Sequence, residues 1–223
     1  MASTRAYLTR WKDTMTVPPV LDPSVLDPSV LDPFVPALLA AVIGGYLLGS
    51  VPVAVLVCRA HGFDPRDTGD RNPGFWNVRE LLGWRAAAPV FAGDMAKGVL
   101  AGLAGLAAGL SAGAALVPVY AAVAAAMVGH AWPVFAGFRG GRSILTFAGG
   151  FAVICPPAFG VGIALLVLVG KAASFAVGAR VAVFSLPVLQ LWFAPVPAVA
   201  ATGLLMSLIG LRFGQAALAG RDA

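Results

Sequence analysis

One long apolar stretch near the start of the chain constrains its fold more than any other feature. Residues 35–58 contain no charged side chain, and about 20 apolar residues suffice for a helix to cross a ~30 Å hydrocarbon core. The rest of the chain agrees, because 59% of all residues are hydrophobic, only 11% are charged, and the mean hydropathy is +0.88. This balance excludes an ordinary soluble domain and predicts an integral membrane protein.

The apolar segments read as runs of Ala, Leu, Val and Gly rather than as alternating polar and apolar residues. Such runs favour membrane-spanning helices over a β-barrel. We therefore predict an all-α bundle of about seven transmembrane helices, with a break at Pro156 and Pro157 and a turn near residues 109–113. The helices are expected within residues 35–58, 86–134 (two helices), 143–155, 158–170, 181–193 and 198–213.

The distribution of positive charge predicts the orientation of this bundle. Eleven of the fifteen Lys and Arg residues fall in three connections and the C-terminal tail, all of which lie on one side of a seven-helix arrangement. Positive charge in short loops marks the cytoplasmic side. We therefore place the N-terminus outside and the C-terminus in the cytoplasm. The three connections are residues 59–85, 139–142 and 171–180.

The chain divides into a tail, a membrane domain and a short end segment. Residues 1–34 carry back-to-back VLDPS, VLDPS and VLDPF repeats, and their regularly spaced prolines predict an extended or disordered spacer. Residues 35–214 form the predicted transmembrane domain, and residues 215–223 form the end segment. The only cysteines, Cys58 and Cys155, are predicted at opposite faces of the membrane and so cannot pair.

Neither histidine lies in a spacing typical of metal ligands, so we predict no metal site. The sequence pI of about 9.8 comes mostly from arginines on the predicted cytoplasmic side. These suit anionic lipid headgroups and phosphorylated substrates, and nucleic acid binding is not needed to explain them.

Polar residues gather in three clusters on the predicted cytoplasmic face. Charged groups in or beside membrane helices are costly and tend to mark function. The GGRS turn at residues 140–143 precedes an apolar helix, so its amides and guanidinium could hold a phosphate. Simpler readings stay open, namely a glycine turn capped by a serine, an internal ion pair, an interfacial histidine, and asparagines that only satisfy loop backbone. The clusters are Arg66 with Asn72 and Asn77, Asp94 with Lys97, and residues 130–146.

Four motifs in order resemble the bacterial membrane acyl-phosphate:glycerol-3-phosphate acyltransferases. GSVP at residues 49–52 comes first, and residues 64–77 are similar to that family's DxRxxGSGNxGATN loop. DMAKG at residues 94–98 resembles its DxxKG, and residues 129–146 resemble its GHxxPVFxxFKGGKGVAT. The resemblance runs from about residue 46 to residue 146.

The resemblance implies a seven-helix membrane enzyme in a bacterial plasma membrane, with its site facing the cytoplasm. Its implied activity is transfer of a fatty acyl group from acyl phosphate to the 1-hydroxyl of glycerol 3-phosphate, giving lysophosphatidate without a cofactor. Lys97 and Arg66 are expected to neutralise phosphate and oxyanion charge, Asn72 and Asn77 to position substrate. His130 is the candidate base, unless the substrate's own phosphate accepts the proton. The residues expected to bind substrate phosphate are Arg139, Gly140, Gly141, Arg142, Ser143, Thr146 and Ser50.

The chain departs from the family pattern at several places. Asp70 and Arg71 stand where the family has small residues, Phe75 and Trp76 replace a small pair, and GGRS replaces GGKG. The family's third signature, roughly HRxNIxRL, is replaced near the C-terminus by GLRFGQAAL, in which Arg212 is the only charge. An alternative interpretation is therefore a catalytically degenerate relative that binds lipid or acts as a membrane scaffold. A transporter of small anions or lipids is a third.

Overall fold

The computed structural model describes residues 28–111 and 116–219, and all regular structure in those ranges is helical. Nine α-helices and one short 3-10 helix follow one another along the described chain. The α-helices are α1 (Pro28–Gly49), α2 (Val53–Arg59), α3 (Phe75–Leu82), α4 (Trp84–Ser111), α5 (Leu116–Ala131), α6 (Ile144–Ile154), α7 (Pro156–Ala172), α8 (Phe175–Gln190) and α9 (Val196–Ala219). The 3-10 helix is Val134–Ala136.

Four helical stretches in the described ranges are long and apolar enough to cross a membrane. Three further apolar helices, α6, α7 and α8, are shorter. The predicted break at Pro156 is confirmed, because α6 ends at Ile154 and α7 begins at Pro156. A count of seven membrane crossings stays a prediction. The four long stretches are Phe34–Arg59, Trp84–Leu110, Leu116–Ala136 and Val196–Ala219.

Two predicted boundaries are wrong. The described part of helix α1 begins at Pro28, inside the repeats that were expected to be extended up to residue 34, and it continues through Pro33 and Pro36. Residues 1–27 of the predicted tail lie outside the described residues. Helix α8 begins at Phe175 rather than at residue 181, because Ser174 caps it by accepting a hydrogen bond from the Val177 amide (3.3 Å).

Glycines allow the inner helices to pack backbone against backbone. A side chain at Gly49 on α1 would collide with the Ala126 carbonyl of α5, and one at Gly98 on α4 would collide with the Thr146 carbonyl of α6. Small residues at such crossings are typical of membrane helix bundles, where close van der Waals contact drives association. Helices α1, α4, α5 and α6 therefore form a tight inner bundle, and α7, α8 and α9 lie around it.

A closed triangle of polar side chains ties α5, α8 and α9 together inside the apolar region. Gln190 Nε2 donates to Tyr120 Oη (2.9 Å), and Thr202 Oγ1 donates to Gln190 Oε1 (2.7 Å). Tyr120 Oη also lies 2.8 Å from the Ala198 carbonyl, to which it donates. All three side chains are buried. Because an unpaired polar group in hydrocarbon is costly, this network fixes how α9 sits against α5 and α8.

The loop between α2 and α4 is held down by an aromatic cluster. Phe75 is 5% exposed, and its ring lies 5.2 to 5.5 Å from the rings of Trp76, Trp84 and Phe91. The Arg79 guanidinium lies over both tryptophan rings, at 5.2 and 5.1 Å. The bulky residues that depart from the family pattern therefore anchor α3 onto the start of α4.

Candidate active site

Three buried, ionisable side chains meet between α4 and α5. The Lys97 ammonium donates to Asp94 Oδ1 (2.8 Å) and lies 3.4 Å from His130 Nδ1. His130 Nδ1 is also 3.6 Å from Asp94 Oδ1. The side chains are only 6%, 3% and 8% exposed for Lys97, Asp94 and His130. Direct contacts therefore bring together side chains from two of the three polar clusters.

Local sequence explains this meeting. Asp94 and Lys97 are three residues apart on α4 and so share one face, and His130 lies in the last turn of α5. A side chain at position 141 would collide with His130 Nε2, so only glycine leaves room for the imidazole. A small cavity of about 10 Å³ opens beside the three groups. Its further lining includes Arg139, Gly140 and Gly141.

Arg66 is held by Asp64 and reaches across to another connection. Its Nε and one terminal nitrogen donate to the two Asp64 carboxylate oxygens (2.8 and 2.6 Å), and the other terminal nitrogen donates to the Ala136 carbonyl (2.7 Å). The hydrogen bonds from Arg66 hold the pKa of the Asp64 carboxyl well below its usual range, and Asp64 raises the Arg66 pKa in turn. Arg66 thereby fastens the loop after α2 to the 3-10 helix.

The two asparagines have different surroundings. Asn77 is 1% exposed, donates to the Pro65 and Thr68 carbonyls (2.9 and 3.0 Å), and accepts from the Asp70 amide (3.2 Å). It braces the inside of the loop and does not line the Lys97 cavity. Asn72 lines a separate cleft at the mouth of the loop.

The turn at residues 139–143 lies between the Asp94–Lys97–His130 group and the loop that carries Arg66. The amides of Gly140 and Gly141 in this turn are not free. Gly140 donates its amide to the Ala131 carbonyl (3.2 Å) and Gly141 donates to the His130 carbonyl (3.0 Å). The expectation that these two amides cradle a phosphate is therefore wrong for this structure, because they already close the turn. What the turn offers instead is the guanidinium groups of Arg139 and Arg142.

Three hydroxyl side chains predicted at the site are buried around it. Ser50 Oγ donates to the Tyr46 carbonyl (2.8 Å) and Ser143 Oγ to the Met127 carbonyl (2.7 Å). The alternative in which Ser143 caps the next helix is wrong, because its hydroxyl donates to α5 instead. Thr146 Oγ1 is buried and has no hydrogen-bond partner. Of the three, only Thr146 carries a buried polar atom left without a partner.

Sequence reasoning gave Arg212 no role, and the structure gives it one. Its Nε donates to the Gly141 carbonyl (3.1 Å) and a terminal nitrogen donates to the Gly140 carbonyl (2.8 Å). The guanidinium also lies 5.1 Å from the Trp132 ring centroid. Arg212 therefore holds the turn from α9. The signal available in the sequence was its position as the only charge in the stretch that replaces the third family signature.

Two departures from the family pattern keep the backbone shape of the glycines they replace. Arg71 has φ +58° and Ser143 has φ +62°, and both stand where the family pattern quoted above has glycine. Left-handed backbone is easy for glycine and strained for other residues. The loop at Arg71 and the turn at Ser143 thus have a left-handed backbone conformation that favours glycine, although neither residue is glycine.

A wider cleft lies between the loop, the turn and the end of α9. Its volume is about 640 Å³, and it is open to solvent. Three arginines, Arg71, Arg142 and Arg212, line it together with Asp70 and Asn72. Within residues 28–111 and 116–219, no group of three or more His, Cys, Asp or Glu side chains could hold a metal ion. The two cysteines are buried and free.

Comparison with known proteins agrees with this architecture. A family model described as glycerol-3-phosphate acyltransferase matches residues 39–217. A glycerol-3-phosphate acyltransferase of Rubrobacter xylanophilus is 50% identical over 52% of this chain and 56% of its own length. One of Methylococcus capsulatus is 41% identical over 74% of this chain and 82% of its own length. Against the Rubrobacter relative and that of Hydrogenovibrio crunogenus, the chain spans little more than half of their length.

A solved structure shares the fold. The crystal structure of PlsY (YgiH), an integral membrane glycerol 3-phosphate acyltransferase in its glycerol 3-phosphate form, superposes with a TM-score of 0.68 at 27% identity. The match covers 82% of this chain and 93% of that one. A lysophosphatidic acid form of the same protein matches with a TM-score of 0.65. The predicted all-helical membrane fold is confirmed, and the chain belongs to the glycerol-3-phosphate acyltransferase family.

Proposed function

We propose that this member of the glycerol-3-phosphate acyltransferase family transfers a fatty acyl group from acyl phosphate to the 1-hydroxyl of glycerol 3-phosphate. The products are lysophosphatidate and inorganic phosphate. One observation carries the proposal, namely a buried Lys97 that opens on a cavity beside an arginine-bearing turn. Names of relatives and the ligand forms of the similar crystal structure point the same way.

The chemistry suits a site that supplies positive charge. The acceptor's hydroxyl oxygen bonds to the acyl carbonyl carbon, negative charge builds on the carbonyl oxygen, and the bond to the phosphate oxygen then breaks. Inorganic phosphate leaves with the electron pair. Fixed cations in a site with little water stabilise such developing charge strongly. Lys97 is the cation for this task in the inner cavity, with Arg139 on its wall.

His130 is better placed to orient Lys97 than to act as the base. A charged Lys97 has only donors, so its contact at 3.4 Å makes His130 Nδ1 the acceptor. The imidazole then carries its proton on Nε2, which faces Gly141. This arrangement favours the other route left open by the sequence, in which the substrate's own phosphate accepts the hydroxyl proton. Arg66, Asn72 and Asn77 would shape the loop that covers the substrates.

The direct test supplies the purified protein with acyl phosphate and glycerol 3-phosphate and measures lysophosphatidate. Lys97→Ala should abolish product formation. Lys171→Ala is the matched control, because Lys171 is an exposed lysine at the end of α7, and it should keep wild-type activity. Reactions without acceptor separate acyl transfer from simple hydrolysis of acyl phosphate. Wild-type product no greater than that of Lys97→Ala would contradict the proposal and favour a degenerate, lipid-binding relative.

We further infer that the chain lies in a bacterial plasma membrane with the N-terminus outside and the site toward the cytoplasm. Contacts of Arg139 with Asp67 (3.0 Å) and of Arg212 with the turn support one shared end for these cationic segments. Cationic segments favour the cytoplasmic side.

Single engineered cysteines test this orientation, since both native cysteines are buried. A membrane-impermeant maleimide applied to intact cells should label Val196→Cys, which is at an exposed position beside the Pro195 turn. Glu80→Cys, in the loop before α4, should be labelled only after the membrane is opened. Labelling of both positions in intact cells, or the reverse pattern, would contradict the orientation.

A further inference from the structure

The cleft between the loop, the turn and α9 is lined by a carboxylate of the protein itself, that of Asp70. Asp70 Oδ2 accepts a hydrogen bond from an Arg142 terminal nitrogen at 3.0 Å, across the mouth of the cleft. Asp70 lies after α2 and Arg142 before α6, so the pair bridges two connections 72 residues apart. Both side chains line the cleft.

Asp70 is held in place from three directions. Its Oδ1 accepts from the Asn72 amide (3.0 Å), its own amide donates to Asn77 Oδ1 (3.2 Å), and its Oδ2 meets Arg142. A carboxylate fixed in this way is a preformed partner for the guanidinium rather than a passing contact. The left-handed backbone of Arg71, the next residue, belongs to the same tight turn.

Arg142 is likewise positioned, yet incompletely satisfied. Its guanidinium stacks over the Phe213 ring of α9 at 4.7 Å, and its side chain is 23% exposed. Its Nε is buried and has no hydrogen-bond partner. Arg212, on the same wall, already donates to two carbonyls and to Gln215 Oε1 (2.7 Å). Of Arg142 and Arg212, Arg142 is therefore the guanidinium whose bonding an incoming anion would change more.

We propose that Asp70 weakens acceptor binding by competing with the acceptor's phosphate for Arg142. This inference rests on the proposed function and deepens it. A dianionic phosphate monoester gains the Arg142 contact only by displacing the Asp70 carboxylate, or binds beside it against like-charge repulsion. The carboxylate thus weakens the binding of glycerol 3-phosphate without entering the reaction at Lys97.

The expected size follows from the exposure of the pair. Ion pairs that are partly exposed are worth up to about 1 kcal/mol, and 1.4 kcal/mol is a factor of ten in binding. Removing the Asp70 charge should therefore lower the acceptor KM by up to about fivefold. The kcat and the KM for acyl phosphate should stay the same.

The experiment measures both KM values and kcat for wild type, Asp70→Asn and Asp70→Ser. Glu80→Gln is the matched control, because it removes one carboxylate from an exposed position in the same loop and should leave all three constants unchanged. A lower acceptor KM in both Asp70 variants, with an unchanged donor KM, supports the inference. An unchanged or higher acceptor KM, or a fall in donor KM instead, overturns it.

A double-mutant cycle with Arg142→Gln tests whether the effect of Asp70 on acceptor binding acts through Arg142. Calorimetric binding of glycerol 3-phosphate should tighten for Asp70→Asn in the wild-type background and not in the Arg142→Gln background. Tightening in both backgrounds would overturn competition at Arg142. Because binding is measured without turnover, an inactive wild type would contradict the proposed function alone, while the binding cycle still decides the role of Asp70.

Discussion

Replacing Asp94 by asparagine should destabilise the protein more than removal of any exposed carboxylate. The Asp94–Lys97 pair is 2.8 Å long, and its side chains are 3% and 6% exposed. Removing one partner of a buried pair leaves the other charge uncompensated, which costs about 3–5 kcal/mol. For a protein of this size each kcal/mol shifts the Tm by about 2–4 °C, so Asp94→Asn should lower the Tm by about 6–20 °C.

The double variant Asp94→Asn/Lys97→Met gives the reasoning its sharpest check. Replacement of a whole buried pair by groups of similar volume is often neutral, so the double variant should recover most of the lost Tm. It should remain inactive in acyl transfer, because the cation of the proposed site is gone. The double variant would then be stable but inactive, which shows that the pair affects stability and activity by different routes.

Thermal unfolding in one detergent, followed by tryptophan fluorescence, measures these shifts. Asp67→Asn is the matched control, since Asp67 pairs with Arg139 at the same end of the molecule while the two side chains are 67% and 61% exposed. Its cost should be about 1 kcal/mol or less. A Tm for Asp94→Asn no lower than that of Asp67→Asn, or a double variant as unstable as the single one, would refute the argument.

Three further outcomes follow from particular contacts and are measurable in the same unfolding assay. Arg71→Gly should raise stability by about 1 kcal/mol, because it relieves a left-handed non-glycine backbone. Ser143→Gly should be nearly neutral, because the same relief is offset by loss of the hydrogen bond from the Ser143 hydroxyl to α5. An equal gain in both variants would contradict these expectations. Arg212→Ala should cost about 2 kcal/mol through its two lost carbonyl contacts, and Arg212→Lys should not restore both; full recovery by lysine would exclude the forked contact. Gln190→Leu should cost about 1–2 kcal/mol, since it removes two buried hydrogen bonds, and adding Thr202→Val should then cost less than Thr202→Val alone, because its bond to Gln190 is already gone; additive losses would mean that the two side chains do not form a network.

Much of the membrane architecture could be predicted from the sequence, because the hydrocarbon of the membrane restricts which structures can form in it. A chain that must satisfy its backbone in hydrocarbon forms long apolar helices, and prolines and charge mark where they end. The break at Pro156 follows that rule. The start of α8 was not predicted correctly. The charge of Arg180 suggested that the loop extends to this residue, whereas the helix begins earlier, after the Ser174 cap. A single arginine is compatible with either reading.

The sequence placed Lys97 and His130 on one predicted face, but it could not show how the polar groups around them are bonded. Lys97 and His130 were expected together, and their contact follows from two adjacent helices. Sequence patterns do not show which donors are already used, so the glycine amides of the turn were expected to be free when they in fact close it. Nor could they show that Arg212, on the last described helix, would contact carbonyls of the same turn.

The Arg212 contacts have a consequence for the order of synthesis. The guanidinium that holds the turn lies 71 and 72 residues after the carbonyls it binds, and ribosomes add about 5–20 residues each second. For at least several seconds, the nascent chain therefore contains Lys97, His130 and the glycine turn but lacks the arginine that binds the turn. The site can reach its final shape only after α9 has entered the membrane, so failed insertion of that one helix leaves every earlier site residue present and the turn unsupported.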